Sequence, residues 1–192
     1  MTRHDLRPAT EPIAALAGAV PEDRFGDPTP CPGWSVEVML VHLLTLTGAF
    51  TDGARKVPRH DTPAPSADLP DGWRDLLSAR LDGLVEAWRD PAAWAGEATV
   101  GGVTLPAPMT AAVVTDELVV HGWDLAMATG QAYDPDPAMV RAALGFAEQF
   151  ADLDGGPFGP SLPVPDGASE LDRLLRLAGR DPAWTPPAVT GR

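Results

Sequence analysis

Cysteine is nearly absent from this chain of 192 residues, with Cys31 as its one example. A single cysteine excludes an internal disulfide and a structural zinc site built from four cysteines. Lysine is equally scarce, and 27 acidic residues against 14 basic ones give a net charge of −13. Because an acidic chain without a basic run repels phosphate backbones and anionic lipids, we expect no nucleic-acid or membrane partner.

Long apolar runs are missing as well. No stretch approaches the roughly 20 consecutive apolar residues that a membrane-spanning helix needs. The first ten residues, MTRHDLRPAT, lack the apolar core of a secretory signal. Together with the free cysteine, these absences favour a reducing cytoplasm as the location. Apolar residues still make up 44% of the chain, which suffices for a single domain over residues 1–192 with a buried core.

Apolar residues recur at helical spacing along most of the chain and predict a mostly helical protein. Ser35 precedes the strongest of these patterns as a candidate N-cap. The Gly-Gly pair at 101–102 interrupts an alternating stretch and predicts a small β-hairpin. The predicted helices cover about residues 4–19, 36–56, 73–89, 108–129, 135–152 and 169–178. This pattern indicates an all-α bundle of four main helices with extra short helices.

Three side chains with metal-binding chemistry lie inside the apolar helical stretches. Glu117 and His121 are four residues apart, so they project from nearly the same face of one helix. His42 lies in the middle of another predicted helix and can supply a third ligand. Imidazole and carboxylate suit zinc and its neighbours in the first transition row, and three such ligands leave coordination positions open. The sequence therefore predicts a metal site of the catalytic kind.

The same residues also fit simpler explanations. A Glu and a His four residues apart often form an ordinary helix pair worth about 0.2–0.5 kcal/mol. Glu117 lies among apolar residues, and an unpaired carboxylate in an apolar core is costly. A hydrogen bond to a histidine satisfies that carboxylate as well as a metal does. A metal-free structural cluster therefore stays open as an alternative at this point.

Two motifs carry a resemblance to a known family. The segments CPGWSVEVMLVHL at 31–43 and ELVVHGWDLAMATG at 117–130 together resemble the DinB/YfiT-like metal-binding superfamily. More narrowly, they are similar to the actinobacterial branch related to the N-terminal domain of mycothiol-dependent maleylpyruvate isomerase. The end of the chain, with FGP at 158–160 and RLLRLAGRDPAW at 173–184, is similar to single-domain members of that branch.

The resemblance implies a four-helix bundle with one divalent metal, usually zinc or nickel, held by His42, Glu117 and His121. Many superfamily members have three histidines, and Glu117 stands where one of them would be. The resemblance also implies a thiol S-transferase or isomerase that acts on a small electrophile, with mycothiol as co-substrate and a homodimer as the assembly. The second domain of the isomerase is expected to be missing. A non-catalytic metal- or small-ligand-binding protein on the same fold is the alternative.

Five further residues are weaker candidates. Cys31 is a possible thiol ligand or nucleophile at a helix start, but packing within its turn explains it better. Trp34 and Trp123 either line the pocket above the metal or fill the core. His4 and His60 lie in terminal or proline-rich polar stretches and are expected to be solvated.

Two carboxylates lie beside the predicted ligand pair in the sequence. Asp124 is three residues beyond His121, so it either orients that imidazole or forms a pair elsewhere. Asp116 precedes Glu117 and points about 100° away from it on a helix, which makes Asp116 a poor ligand candidate.

Overall fold

The computed structural model describes residues 3–61, 66–150 and 159–187. Within these ranges, six α-helices and one two-stranded antiparallel sheet form the regular structure, beside two short 3-10 helices. The elements are α1 (Arg7–Gly18), α2 (Val36–Ala54), α3 (Trp73–Arg89), β1 (Glu97–Val100), β2 (Val103–Pro106), α4 (Ala107–Thr129), α5 (Pro137–Phe150) and α6 (Glu170–Leu177). The predicted all-α class with a small β-hairpin is confirmed. None of the described helices has the length and apolar character to cross a membrane.

The first four helices pack around one apolar core, with α2 against both α3 and α4, and α1 against α3 and α4. Ile13, Leu40, Leu84 and Leu118, one from each of these helices, are fully buried in that core. Burying a side chain of this size stabilises a fold by about 1.5–3 kcal/mol. The α5 helix packs on α4 and in turn supports α6, so the last helix is joined to the bundle through α5.

The turn before α2 sets the direction of that helix. The hydroxyl oxygen of Ser35 accepts a hydrogen bond from the backbone N–H of Val38 at 3.3 Å, as its predicted N-cap role requires. Both the backbone N–H and the hydroxyl of Thr29 donate to the carbonyl oxygen of Trp34 at 3.0 Å, and the N–H of Trp34 donates to the carbonyl of Cys31 at 3.1 Å. These bonds close the CPGW turn and hold the Trp34 ring at the start of α2.

The α4 helix is buried along most of its length, because helices or strands cover several of its sides. It ends at Thr129, as predicted, and Gly130 follows with a φ of 70°, the left-handed conformation that glycine readily adopts at the end of a helix. Gly122 permits a close approach in the same helix: the hydroxyl of Tyr133 donates to the carbonyl of Val119 at 2.9 Å. A Cβ atom at position 122 would lie only 2.7 Å from that hydroxyl oxygen.

The predicted hairpin is present and pairs β1 with β2 in the register Val100↔Val103. Gly101 and Gly102 form its turn with φ values of 58° and 76°, which side chains other than glycine rarely adopt. The hairpin packs on α2, where a Cβ atom at Gly53 would lie 2.8 Å from a methyl group of Val100. The hairpin therefore covers the C-terminal part of α2, away from His42.

The N-terminus differs from the sequence-based prediction in two ways. The first helix begins at Arg7 instead of near residue 4, because Pro8 fits only the first turn of a helix. His4 is also not solvated: its Nε2 lies 2.9 Å from the hydroxyl oxygen of Thr115, and its ring meets the ring of Trp94 edge-on. The expectation for His4 was wrong because sequence spacing does not show that the terminal segment folds back on α4.

The end of α2 and the exposure of His60 agree with the sequence-based predictions. The second helix ends at Ala54, close to the predicted residue 56, where Lys56 has a φ of 61° that stops the helix. His60 is exposed, as expected. The predicted end of the fifth helix near Asp152, and Phe158 of the FGP motif, lie outside the described residues.

Candidate metal centre

Side chains from α2 and α4 converge at one point between the two helices. The Nε2 atom of His42 lies 3.2 Å from Oε2 of Glu117, and Nε2 of His121 lies 3.0 Å from the same oxygen. One potential ligand atom from each of the three residues lies within 4.8 Å of the other two. The structure therefore brings together all three side chains that the sequence singled out.

Exposure varies across this cluster. The side chain of His121 is 5% exposed, that of Glu117 is 17% exposed, and that of His42 is 28% exposed. His121 is thus the interior member of the cluster, and His42 stands on its solvent side. The cluster is therefore not sealed from solvent on the side of His42.

Charge is balanced within the cluster by hydrogen bonds. Burial works against ionisation of Glu117, but hydrogen bonds from His121 and His42 outweigh it and hold the pKa of this carboxyl well below its usual range. Burial also opposes protonation of His121, but hydrogen bonds to Asp124 and Glu117 raise the pKa of its imidazole to about 9. A protonated imidazole therefore supplies the positive charge beside the Glu117 carboxylate, a place that a metal cation can take.

A second carboxylate fixes the orientation of His121. The Nδ1 atom of His121 donates to Oδ2 of Asp124 at 3.0 Å, so its Nε2 points at Glu117. Asp124 is completely buried, and Nη2 of Arg180 donates to the same oxygen at 3.1 Å. Asp124 therefore has both of the roles left open for it, since it orients His121 and also pairs with Arg180. Arg180 was missed, because no spacing rule connects residues 56 positions apart.

The donor set fits one divalent ion of the first transition row. Ligands about 2.1 Å from a tetrahedral ion lie roughly 3.4 Å apart, close to the 3.0 and 3.2 Å separations that involve Glu117. The third separation, between His42 and His121, is at most 4.8 Å. A tetrahedral ion therefore requires the two imidazoles to approach by at most about 1.4 Å, a distance that side-chain rotation covers. Two nitrogens and one oxygen leave further positions open.

Of the two tryptophans named from the sequence, Trp34 lies at the cluster. Its ring stacks on the imidazole of His121 with centroids 5.7 Å apart and an interplanar angle of 21°. It also meets the ring of His42 edge-on at 4.7 Å. Trp123 is 5% exposed, and no ring contact with the cluster is found for it among the described residues. Trp34 therefore lines the candidate site, whereas Trp123 is buried in the interior.

Cys31 lies close to this cluster but remains a neutral thiol. Burial raises the pKa of its thiol to about 11, while the nearby charge of Arg180 lowers it and the charges of Asp124 and Glu117 raise it. Within the described residues, its sulphur is not one of the ligand atoms that converge. The buried neutral thiol agrees with the prediction that Cys31 is a packed residue of its turn.

Asp116 is fully buried and is also absent from the converging set, as its position on the helix predicts. Neither of its carboxylate oxygens has a hydrogen-bond partner within the described part of the chain. Burial, and after it the charge of Glu117, raises the pKa of this carboxyl well above its usual range. Its buried position therefore favours the protonated form of Asp116.

The sequence of this chain matches a known protein family over the segment that contains the cluster. The family model described as the mycothiol maleylpyruvate isomerase N-terminal domain matches residues 6–126. The chain belongs to this family. The matched range contains α1 to α3, the hairpin and most of α4, and with them His42, Glu117 and His121. The resemblance stated from the two motifs is therefore confirmed.

Two proteins of Mycobacterium tuberculosis H37Rv are similar in sequence to this member of the mycothiol maleylpyruvate isomerase N-terminal domain family. The uncharacterized protein Rv0738 is 31% identical over 187 residues, covering 90% of this chain and 93% of that protein. The uncharacterized protein Rv0036c is 33% identical over 92 residues, covering 44% of this chain and 35% of that protein. The similarity to Rv0738 thus extends well past the matched domain.

Solved structures of the family show the same fold. A crystal structure of the mycothiol-dependent maleylpyruvate isomerase matches with a TM-score of 0.65 at 22% identity, covering 91% of this chain and 86% of that one. A histidine-to-alanine mutant of that enzyme matches with a TM-score of 0.64 at 20% identity. The predicted DinB-like fold is confirmed.

Proposed function

We propose that this protein holds one divalent metal ion through His42, Glu117 and His121 and acts on a small thiol and an electrophilic substrate. The observation that carries the proposal is the convergence of two imidazole nitrogens and one carboxylate oxygen within 4.8 Å of one another. A bound ion of this kind supplies Lewis acidity, which lowers the pKa of a coordinated thiol. The solvent-side position of His42 leaves an approach for both reactants.

The protein's own residues would position these groups. Glu117 contributes the negative charge, because its hydrogen bonds keep it ionised despite its burial. Asp124 holds the imidazole of His121 through Nδ1 and leaves Nε2 directed at the site. The Trp34 ring covers both imidazoles and keeps water from that side. None of these residues is assigned as a general base.

The thiol in this proposal is mycothiol, because the matched crystal structure is that of a mycothiol-dependent isomerase. The reaction class is isomerisation or S-transfer to a small electrophile, as family membership suggests. Zinc is the expected ion and nickel the second, since both accept imidazole and carboxylate ligands. The alternative, a non-catalytic metal- or small-ligand-binding protein, predicts binding without turnover.

The proposal includes the assembly and the location of the protein. We propose a single domain over residues 1–192, a homodimer, and a reducing cytoplasm. The common dimerisation of the superfamily supports the homodimer, and the buried free thiol of Cys31 is compatible with a reducing compartment. Sedimentation equilibrium of the full chain tests the assembly, and a monomer at micromolar concentrations would contradict it.

Metal analysis of the purified protein tests the metal site. Wild-type protein is expected to bind about one divalent ion per chain, whereas His121→Ala and His42→Ala lose one of three ligands and bind at least about 100-fold more weakly. His60→Ala is the matched control, because His60 is an exposed histidine outside the cluster. Equal metal content in wild-type protein and His121→Ala would refute the site.

A thiol-transfer assay tests the reaction. Mycothiol and a simple electrophile are incubated with the metal-loaded protein, and consumption of the electrophile is followed, because S-transfer uses up the thiol whereas isomerisation regenerates it. Removal of the metal with a chelator is expected to abolish the consumption, and addition of zinc is expected to restore it. Turnover that survives metal removal would rule out the metal-dependent mechanism. Metal binding without any turnover would instead support the non-catalytic alternative.

A further inference from the structure

The chain beyond the matched family domain returns to the candidate metal centre. The domain match ends at residue 126, whereas Arg180 follows α6 near the end of the described chain. Arg180 is nevertheless only 4% exposed. Its Nη2 atom donates to Oδ2 of Asp124 at 3.1 Å, and its Nη1 atom donates to the carbonyl of Ala178 at 2.7 Å. An arginine is seldom buried to this extent unless it is paired.

The Arg180–Asp124 pair is connected to the candidate metal centre by a hydrogen bond between Asp124 and His121. The Asp124 oxygen that accepts from Arg180 also accepts from Nδ1 of His121, at 3.0 Å. The other nitrogen of that imidazole lies 3.0 Å from Glu117. A buried chain of hydrogen bonds therefore runs from Arg180 through Asp124 to the ligand histidine. Burial opposes the charge on Arg180, but Asp124 outweighs it and raises the pKa of the guanidinium, which keeps the pair ionic.

The end of α6 is built so that Arg180 turns inward. The N–H of Arg180 donates to the carbonyl of Leu175 at 2.7 Å, and the N–H of Gly179 donates to that of Arg176 at 3.0 Å. These two bonds and the φ of 74° at Gly179 form a Schellman motif. Leu175 and its neighbour Leu174 are buried, so the helix that carries this motif is anchored to the rest of the fold.

We propose that Arg180 is a positioning residue for the metal centre, which acts through Asp124 to hold His121 in the orientation that presents Nε2 to the ion. The inference rests on the proposed metal site and assigns it a component from outside the family domain. Arg180 neutralises the buried Asp124 carboxylate and fixes its oxygen, and that oxygen fixes the imidazole. Without Arg180, the buried Asp124 carboxylate loses its cationic partner and is held by its bond to His121 alone, so the imidazole loses part of its support.

Metal affinity of the stripped and reloaded full chain tests this inference. Zn2+ affinity is measured by competition with a chelating dye, and Co2+ is added to record the visible spectrum, which reports ligand geometry. Arg180→Gln and Asp124→Asn are each expected to bind Zn2+ about 10–100-fold more weakly than wild type, with a changed Co2+ spectrum. The Zn2+ affinity of the double variant is expected to equal that of the single variant with the lower affinity, because both substitutions break the same chain of bonds.

Two further variants separate positioning from folding. Arg173→Gln is the matched control, since Arg173 is a half-exposed arginine of α6 that pairs with Glu148, and it is expected to keep wild-type affinity. Arg180→Lys keeps the charge but loses the planar fork, so partial recovery of affinity is expected. Circular dichroism of the metal-free proteins identifies the folded variants; if Arg180→Gln does not fold, the comparison rests on Arg180→Lys.

Each outcome has a distinct meaning. Wild-type affinity and spectrum in a folded Arg180 variant would overturn the inference while leaving the metal site in place, especially where Asp124→Asn is weakened. A folded variant with lowered thermal stability but unchanged affinity would assign Arg180 a structural role only, which also overturns the inference. Failure of wild-type protein to bind Zn2+ or Co2+ would overturn the proposed function itself.

Discussion

His121 shows how the groups on both nitrogens of one imidazole decide what it can do. Asp124 occupies Nδ1 and Glu117 lies at Nε2, and together they raise the pKa of the ring to about 9 against the effect of burial. At Cys31, close by, burial is the largest influence and raises the pKa of the thiol. Two titratable groups in one neighbourhood are therefore tuned in opposite senses, one toward its charged form and the other away from it.

Thiol labelling tests the environment of Cys31. Because burial raises the pKa of this thiol to about 11, its thiolate fraction near pH 8 is on the order of one in a thousand. We expect an aromatic disulfide reagent to label the native protein more than about 100-fold more slowly than the same protein in denaturing urea. Fast labelling of the native protein would contradict the packed neutral thiol.

The same pKa shift has a consequence for stability. The folded-state pKa of Cys31 lies above the unfolded value of about 8.5, so the unfolded thiol ionises first as the pH rises. The contribution of this thiol to stability is fully present below about pH 8.5 and is lost as the pH rises toward 11. Cys31→Ser removes this titration, so its unfolding free energy is expected to fall less over that range than that of wild type.

Residue types and spacing revealed the ligand set but not its support. Glu117 and His121 were found from helical spacing, since four residues make about one turn. Their partner His42 was found because it interrupts an apolar helix, and the family motif linked it to the pair. Arg180 lies within the motif at 173–184, but nothing in that motif connected it to Asp124, because its role depends on a fold-back of the chain that neither periodicity nor charge pattern encodes.

At the scale of the element, α4 combines the ligand pair with a close helix–loop contact. Gly122 leaves room for the Tyr133 hydroxyl, which reaches the carbonyl of Val119 on the same helix. The sequence predicted the course of this helix and its end at Gly130, because both follow from local preferences. The need for glycine at 122 was not predictable, since it arises from a residue eleven positions later folding back over the helix.

Two glycine-to-alanine substitutions test this contact. Gly122→Ala forces the Tyr133 ring away and breaks its hydrogen bond, so we expect a net destabilisation of about 1–3 kcal/mol. Gly145→Ala in α5 is the matched control, because no described atom outside its own helix lies within 4 Å of the added Cβ, and a gain of about 0.5–1 kcal/mol is expected. Urea unfolding measures both changes, and equal effects of the two substitutions would argue against the steric explanation.

At the scale of the whole molecule, the cluster joins segments that are distant in sequence. His42 and Glu117 are 75 residues apart and belong to helices that also pack through apolar side chains. The polar cluster therefore lies on a helix interface that is also packed with apolar side chains. The hydrophobic patterns sufficed to predict a bundle, whereas the pairing of its helices required the family resemblance.

Thermal unfolding tests the link between metal and fold. An ion bound to the native state at a free concentration 100-fold above its dissociation constant stabilises by about 2.7 kcal/mol. For a chain of this size, that gain corresponds to a rise in Tm of roughly 5–10 °C. The rise is expected for wild type and for His60→Ala with added zinc and is expected to be lost in His42→Ala. A similar rise in all three proteins would indicate nonspecific binding.

Gly179 gives the chain after α6 a strict length requirement. Its left-handed backbone ends the helix and directs the next side chain inward. The contact of Arg180 with Asp124 therefore requires the present number of residues between Leu175 and Arg180 as much as it requires an arginine. One extra residue at this point would keep every functional group in the protein, yet it would redirect the guanidinium away from Asp124. Insertions and deletions are therefore tolerated less at this turn than substitutions on the outer surface of α6.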